Sequence, residues 1–335
     1  MRVVHAVRSD AFAGVERYIA SVAPLLKARG VDVAVIGGER AQMLRALGAD
    51  VPHTAAATTG DVRRALISGG KVDVVHAHMT AAETAGVMSA RAHRAAIVST
   101  RHFGARRGAS IQGHLVAPFI RRRLAQQVSV SRFVANEIGE PSVVLVNGVA
   151  CRDEATARTN TVLVLQRLEQ EKETDVALRA WSASTARESG WMLEIAGDGA
   201  CRGELVALAG ELGVDDSVRF VGHAVDAADR VGAARILLAP ASAEPFGFSV
   251  VEAMAAATPV VAAAGGGHLE TVGGCSTEHL FPAGDFEACA AQLDALVGDE
   301  ALRVAYGRAL QRYQRAQFDI ESHVDALVGL YDQLV

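Results

Sequence analysis

Short apolar stretches, each about the length of a strand, alternate with helix-like stretches almost from end to end of this 335-residue chain. In the first half the apolar stretches are Val3–Val7, Val31–Ile36, Val72–His76, Ala96–Ser99, Gln127–Val130 and Val143–Leu145. Helical patterns such as Val15–Arg29 and Thr80–His93 lie between them. A polar run over Cys151–Thr161 interrupts the alternation, which resumes with Val162–Leu165, Trp191–Ala196, Val218–Val221, Ile236–Leu238 and Val260–Ala262. Strand and helix in turn predict βαβ units, and such units build parallel sheets. The length suits two domains, and a chain that is 50% hydrophobic can bury a core in each.

Charge sharpens the division. Residues 1–150 hold 19 Lys/Arg against 10 Asp/Glu, and residues 151–335 hold 14 against 28. Such a split fits two separate units, with either a basic first surface that attracts an anionic acceptor or two opposite faces that hold the units together. The four cysteines, Cys151, Cys201, Cys275 and Cys289, are scattered without a paired spacing. Neither structural zinc nor a disulfide framework is therefore expected, and a reducing cytoplasm fits. The opening Met1-Arg2-Val3-Val4-His5-Ala6-Val7 reads as a strand, not a signal peptide. No apolar run reaches the roughly 18 residues of a membrane span. Lysine is rare, with only Lys27, Lys71 and Lys172, so Lys172 stands out.

The stretch Ala239–Glu270 concentrates the chemistry. Glu244 and Glu252 bracket an aromatic-glycine turn, Pro245-Phe246-Gly247-Phe248, which runs into a helical Ser249–Ala257. A strand ending at Pro240 precedes the turn, and the strand Pro259–Ala262 follows the helix and leads into a glycine triplet. A loop so placed lies at the carboxyl end of a parallel sheet, where ligands of open α/β folds bind. Amides at the helix start attract anions. Upstream, the strand Val162–Leu165 is followed by Arg167 and Lys172. These two cations can flank a diphosphate, one as a planar fork and one as a compact charge.

Glu244, Glu252 and the run Gly266-Gly267-His268-Leu269-Glu270 closely resemble the carboxyl-terminal signature of family 4 retaining glycosyltransferases. Arg167-Leu168 and Lys172 are similar to the same family's Gly-Arg-Leu…Lys-Gly motif, with Gln166 and Glu173 standing where glycine is usual. The resemblance implies the α/β GT-B architecture, two Rossmann-like parallel-sheet domains facing across a cleft. It implies residues 1–155 as an acceptor-binding domain, 156–317 as a nucleotide-sugar-binding domain, and 318–335 as a helix crossing back to the first. The amphipathic pattern of Ile320, Val324, Leu327, Val328, Tyr331 and Leu334 suits that helix, or one capping the second domain.

By the same resemblance, Arg167 and Lys172 neutralise the leaving diphosphate with amides of Phe246, Gly247 and Phe248. Glu244 bonds sugar hydroxyls, and Glu252 holds the ribose. Gly197, in Gly197-Asp198-Gly199, admits a ligand close to the backbone, and His223 follows the strand beside the nucleotide base. In the first half, Gly14 faces the donor although Ala13 replaces the family's second glycine. His102 contacts the transferred sugar, while His76 and His78 orient the loop. His76 and His78 alone do not make a metal site, because no third ligand is spaced to complete one. Asp215-Asp216 is expected to be solvated.

The expected reaction is therefore retaining, metal-independent transfer of a hexose to an acceptor hydroxyl, without a cofactor. The donor is a nucleoside diphosphate sugar, a UDP-sugar ranked before a GDP-sugar. The acceptor is a small molecule, a glycan or a lipid-linked molecule; no nucleic acid is involved. Gly113–Gln127, with Leu115, Val116, Phe119, Ile120 and Leu124 beside Arg121-Arg122-Arg123, reads either as a core-packed helix or as a peripheral contact with the inner membrane face. The rivals are a nucleotide-sugar 2-epimerase on the same architecture and a non-catalytic sugar-nucleotide-binding homologue. A NAD dehydrogenase ranks last, because no glycine fingerprint follows the first strand.

Overall fold

In a computed structural model of the chain, the strand-forming stretches pair in parallel into two sheets. The structure describes residues 1–105, 107, 111–155, 157–224 and 226–335, and leaves the side chains of 111–116 aside. The chain divides into two compact units, Met1–Gly148 with Ile320–Val335, and Val149–Asp319. Thus the amphipathic helix Ile320–Asp332 belongs to the first unit.

The first unit carries β1 (Arg2–Val7), β2 (Asp32–Ile36), β3 (His53–Thr54), β4 (Val74–His78), β5 (Ala96–Arg101), β6 (Gln126–Ser129) and β7 (Val143–Val144). Their order is β3-β2-β1-β4-β5-β6-β7, so the winding reverses between β1 and β4. Side chains alternate along a strand, which gives this sheet two different faces. On one face Val4, Ala6, Val75 and Ala77 pack with Val62, Leu66, Ala82 and Ala85. Those partners lie on the helices Thr59–Ser68 and Met79–His93, the first closed by a Thr58–Asp61 capping box. The opposite face carries His5, His76, His78 and Thr100 under the helices Gly14–Ala28 and Ile320–Asp332. Arg29 ties these helices together through Glu321 (2.8 Å) and Asp325 (2.5 Å).

Beyond β5, Arg107 makes a buried two-pronged contact with Glu83 (2.7 and 2.9 Å) and also pairs with Glu140. The helix Ile111–Arg123 follows, with Ile120 packed against Val87 and Ile97 and Leu124 beside them. Phe119 is 54% exposed under the Arg123 guanidinium, 5.5 Å from its ring centre. The Leu115 and Val116 side chains lie outside the described residues.

The second unit holds β8 (Thr159–Leu165), β9 (Met192–Ala196), β10 (Val218–Gly222), β11 (Ala234–Ala239), β12 (Val260–Ala263) and β13 (Leu280–Phe281). The order β10-β9-β8-β11-β12-β13 reverses between β8 and β11. Trp181, Leu163, Ile195, Ile236 and Met254 are fully buried around it. The two-residue edge strands β3 and β13 escape the sequence reading, whereas the equally short β7 lies within the apolar stretch Val143–Leu145. Among the described residues no helix is long and apolar enough to cross a membrane.

Candidate active site

The chain leaves β8 at Leu165 and enters a loop held by its own side chains. Gln166 Nε2 donates to the Lys172 carbonyl (2.8 Å) and to Thr174 Oγ1 (2.9 Å). Glu173 takes a left-handed conformation, φ +50° and ψ 39°, which explains why glycine suits that position. A side chain there costs about 1–2 kcal/mol of strain. Its carboxylate accepts a hydrogen bond from Ser242 Oγ at 2.5 Å. Both departures from the family pattern are thus used in the fold.

Lys172 Nζ pairs with Glu244 Oε2 at 2.5 Å across 72 residues of sequence, with side chains only 13% and 19% exposed. Arg167 is placed differently. Its side chain is 55% exposed and pairs with Glu171 at 2.7 Å, an arrangement worth little in stability.

Glu244 sits in the loop after β11, and the glycine triplet after β12 supports it. A Cβ on Gly266 (φ +53°) would lie 2.4 Å from the Glu244 carbonyl oxygen, and one on Gly265 2.1 Å from that of Ser242. Gly267 N donates to the Glu244 carbonyl at 2.6 Å. These glycines therefore let two neighbouring loops touch backbone to backbone. His268 is buried beside them, with Nδ1 against the Ala263 carbonyl (3.2 Å); burial depresses its pKa, which nearby Glu244 partly opposes. The sequence reading assigned it no role.

The turn continues through Gly247 (φ +90°) into the helix Phe248–Ala255. Its ladder begins with Val251 N to the Gly247 carbonyl (3.0 Å), so the amides of 248–250 precede the ladder. Phe246 is buried, its ring edge-on to Phe248 (5.3 Å) and Phe318 (6.0 Å), and its backbone lies against Gly267. Glu252 lies half-buried in the same helix. Gly197 has a reason of its own: a Cβ there would lie 1.8 Å from the Gln166 carbonyl oxygen. His223 follows β10, and Asp215 and Asp216 precede it at the other end of that strand.

In the first unit Gly14 opens the helix Gly14–Ala28, with open space where its Cβ would be. His76 and His78 both lie on β4, and His102 just follows β5. One expectation needs correcting. A third imidazole does join His76 and His78, because parallel pairing sets His5 of β1 directly beside His76. Ring nitrogens of the three lie within 4.8 Å of one another. Spacing along the sequence could not show this, since the third ring arrives through the sheet. These nitrogens already serve hydrogen bonds to one another, to Tyr331 and to Thr100, so the trio is not identified as a metal centre.

The same face holds His323, whose Nδ1 meets the Val146 carbonyl (2.7 Å) and whose Nε2 meets Tyr18 OH (2.8 Å). Burial lowers the pKa of His5 and His102 to about 3 and that of His323 to about 4, and holds His76 and His78 well below the ordinary value. The rings are neutral.

Comparison with known proteins agrees with this geometry. Residues 12–151 match the family model described as Glycosyltransferase Family 4, and residues 152–313 that described as Glycosyl transferases group 1. A phosphatidyl-myo-inositol mannosyltransferase of Mycolicibacterium smegmatis is 30% identical over 76% of this chain and 70% of its own. The lipopolysaccharide core biosynthesis mannosyltransferase LpcC of Rhizobium leguminosarum bv. viciae is 30% identical over 50% of this chain, which spans about half of that relative (49%). The crystal structure of Anabaena Alr3699/HepE in complex with UDP shares the fold, with TM-score 0.85, 19% identity and 100% of both chains covered. Two parallel-sheet units matched in order, with the Glu244 and Glu252 loop in the second, give one conclusion: the chain belongs to the glycosyl transferases group 1, glycosyltransferase family 4, of the GT-B fold.

Proposed function

We propose that the protein transfers a hexose from a nucleoside diphosphate sugar to an acceptor hydroxyl, with retention and without a metal. The observation that carries this reading is the Lys172–Glu244 pair at the loop ends of the second sheet, next to the amides opening the helix Phe248–Ala255. Lys172 has three donors, so it can keep Glu244 and still meet a phosphate oxygen. Fixed positive charge and amide dipoles stabilise the charge that gathers on a leaving diphosphate. Arg167, exposed on the same loop, adds a second cation by swinging away from Glu171.

In the proposed step the bond from the sugar's anomeric carbon to the phosphate oxygen breaks as the acceptor oxygen bonds that carbon on the same face. The acceptor's proton passes to the departing diphosphate. Glu244 holds sugar hydroxyls and Glu252 the ribose, while Gly197 and the backbone of Phe246, Gly247 and Phe248 line the donor. Gly14 and His102 serve the ligand of the first unit, which also takes the acceptor. UDP-sugars are the first donors to test, a choice supported by the UDP and UDP-glucose named for the Anabaena structures.

The test is a panel of UDP-, GDP- and dTDP-sugars, followed by proton NMR of the product anomer, with and without a chelator. Glu244→Ala should lose nearly all turnover while melting as a folded protein. Full rates in that variant, or an inverted product, would defeat the mechanism. A new sugar formed from donor alone would replace it with epimerisation.

Lipid-linked acceptors gain weight from exposed Phe119 beside Arg121, Arg122 and Arg123. Anionic liposomes should then bind the protein in a salt-sensitive way, and absence of co-sedimentation removes the membrane contact.

A further inference from the structure

The two departures from the family pattern, Gln166 and Glu173, meet at one place in the second unit, beside the charges of the proposed reaction. Lys172 Nζ reaches Glu244 Oε2 at 2.5 Å, and Ser242 Oγ donates to Glu173 Oε1 at 2.5 Å. Consecutive residues of one loop thus touch two residues of another, with the roles reversed. The loop after β8 donates at 172 and accepts at 173, and the loop after β11 accepts at 244 and donates at 242. Successive side chains of a strand point to opposite faces. Here both reach the same neighbour, at a turn where Glu173 has φ +50°.

Each loop is also held from behind. Gln166 Nε2 grips the turn on both sides of Glu173, at the Lys172 carbonyl (2.8 Å) and at Thr174 Oγ1 (2.9 Å). On the other loop, Gly267 N donates to the Glu244 carbonyl at 2.6 Å. Gly265 lies so close to Ser242 that a Cβ would sit 2.1 Å from its carbonyl oxygen. One side-chain contact between two supported loops leaves Lys172 free to pivot on its flexible four-carbon stem. A second contact, made by the next residue, removes that freedom. Glycine at 173 would take the turn without strain but would bring no side chain to Ser242. A non-glycine residue in a left-handed turn persists only where its surroundings hold it there.

We propose that Glu173 is a positioning residue: clasped by Ser242, it holds the Lys172 ammonium on Glu244 before the donor arrives. The donor then meets a cation already in place, and ordering that cation is no part of the barrier. Glu173 acts through its acceptor oxygen and not through its charge, which has the sign that repels a diphosphate. The effect on turnover rests on the proposed function, whereas the clasp itself does not.

The experiment joins nitrogen-15 NMR of the full chain, labelled at lysine Nζ, to initial-rate kinetics. The chain has only Lys27, Lys71 and Lys172, and the Lys172 signal is assigned by its absence in Lys172→Arg. In wild type it should stand apart from that of exposed Lys71. In Glu173→Ala and in Ser242→Ala it should move toward the Lys71 position. The loss should fall on kcat, about 10–100-fold, with donor KM changed by less than about 2-fold. The double variant should lose no more than either single one, because both remove the same contact. Glu173→Gln still offers Ser242 a carbonyl oxygen, so signal and kcat should match wild type with donor KM no higher. Circular dichroism confirms that each variant is folded; should Glu173→Ala unfold, Ser242→Ala and Glu173→Gln still decide. A wild-type Lys172 signal in a folded alanine variant, a kcat there within about 2-fold of wild type, a double variant that multiplies the two losses, or a folded Glu173→Gln that behaves like Glu173→Ala would each overturn the proposal. The expected signals from a wild type that turns over no nucleotide sugar would overturn the proposed function alone.

Discussion

The two units are built on the same parallel sheet, yet they treat polar groups in opposite ways. In the second unit the chemistry is ionic and lies in loops: Lys172 meets Glu244, Glu173 binds Ser242, and glycines 265–267 bring the loops into backbone contact. In the first unit the histidine cluster beneath the helices is neutral, His5, His76, His78, His102 and His323 bonding with Tyr18, Tyr331 and Thr100, while the buried Arg107–Glu83 ion pair of that unit is matched by a two-pronged contact. The difference follows from burial. Near the surface an ion pair keeps part of its hydration, whereas fully buried charges cost several kcal/mol each. Inside the first unit the rings stay neutral and satisfy one another.

Acid should break the comparison most strongly. The histidine pKa values near 3 and 4 lie below the ordinary 6.5, so the unfolded chain takes up protons first as pH falls. The stability is fully present above pH 6.5 and is lost from there down toward pH 3–4. Each such histidine contributes a slope of about 1.4 kcal/mol per pH unit, so the three with values give about 4 kcal/mol per unit. Thermal melts between pH 7 and 5 measure this, and a first unit no more acid-sensitive than the second would refute it.

Next in size is Lys172→Ala, which strips Glu244 of its cation and the proposed diphosphate of its clamp. Turnover should fall about 10²–10³-fold, read as initial rates with whichever donor proves active. Gly266→Ala should follow, because a methyl group would collide with the Glu244 backbone. The left-handed strain alone costs about 1–2 kcal/mol, so a lowered melting temperature should accompany a loss of rate.

The smallest effects sharpen the contrast. Gln166→Ala removes two hydrogen bonds and should cost about 1–2 kcal/mol by chemical denaturation. Glu173→Gly relieves strain but loses the Ser242 contact, and should change stability by no more than about 1 kcal/mol. A larger loss would mean that the carboxylate does more than hold Ser242.

The sequence by itself determined the alternation of strand and helix, and with it two parallel sheets whose loops gather at their carboxyl ends. It also marked Lys172, Glu244, Glu252 and the glycine triplet, because close backbone approach and exposed charge impose residue types at local spacings. Only the tertiary structure decided which partners these residues take. Lys172 and Glu244 meet across 72 residues, His5 reaches His76 through strand register, and Tyr331 arrives on the last helix. Periodicity reports which face a residue shares with its near neighbours. Contacts between distant elements depend on sheet order and helix packing, which no local pattern encodes.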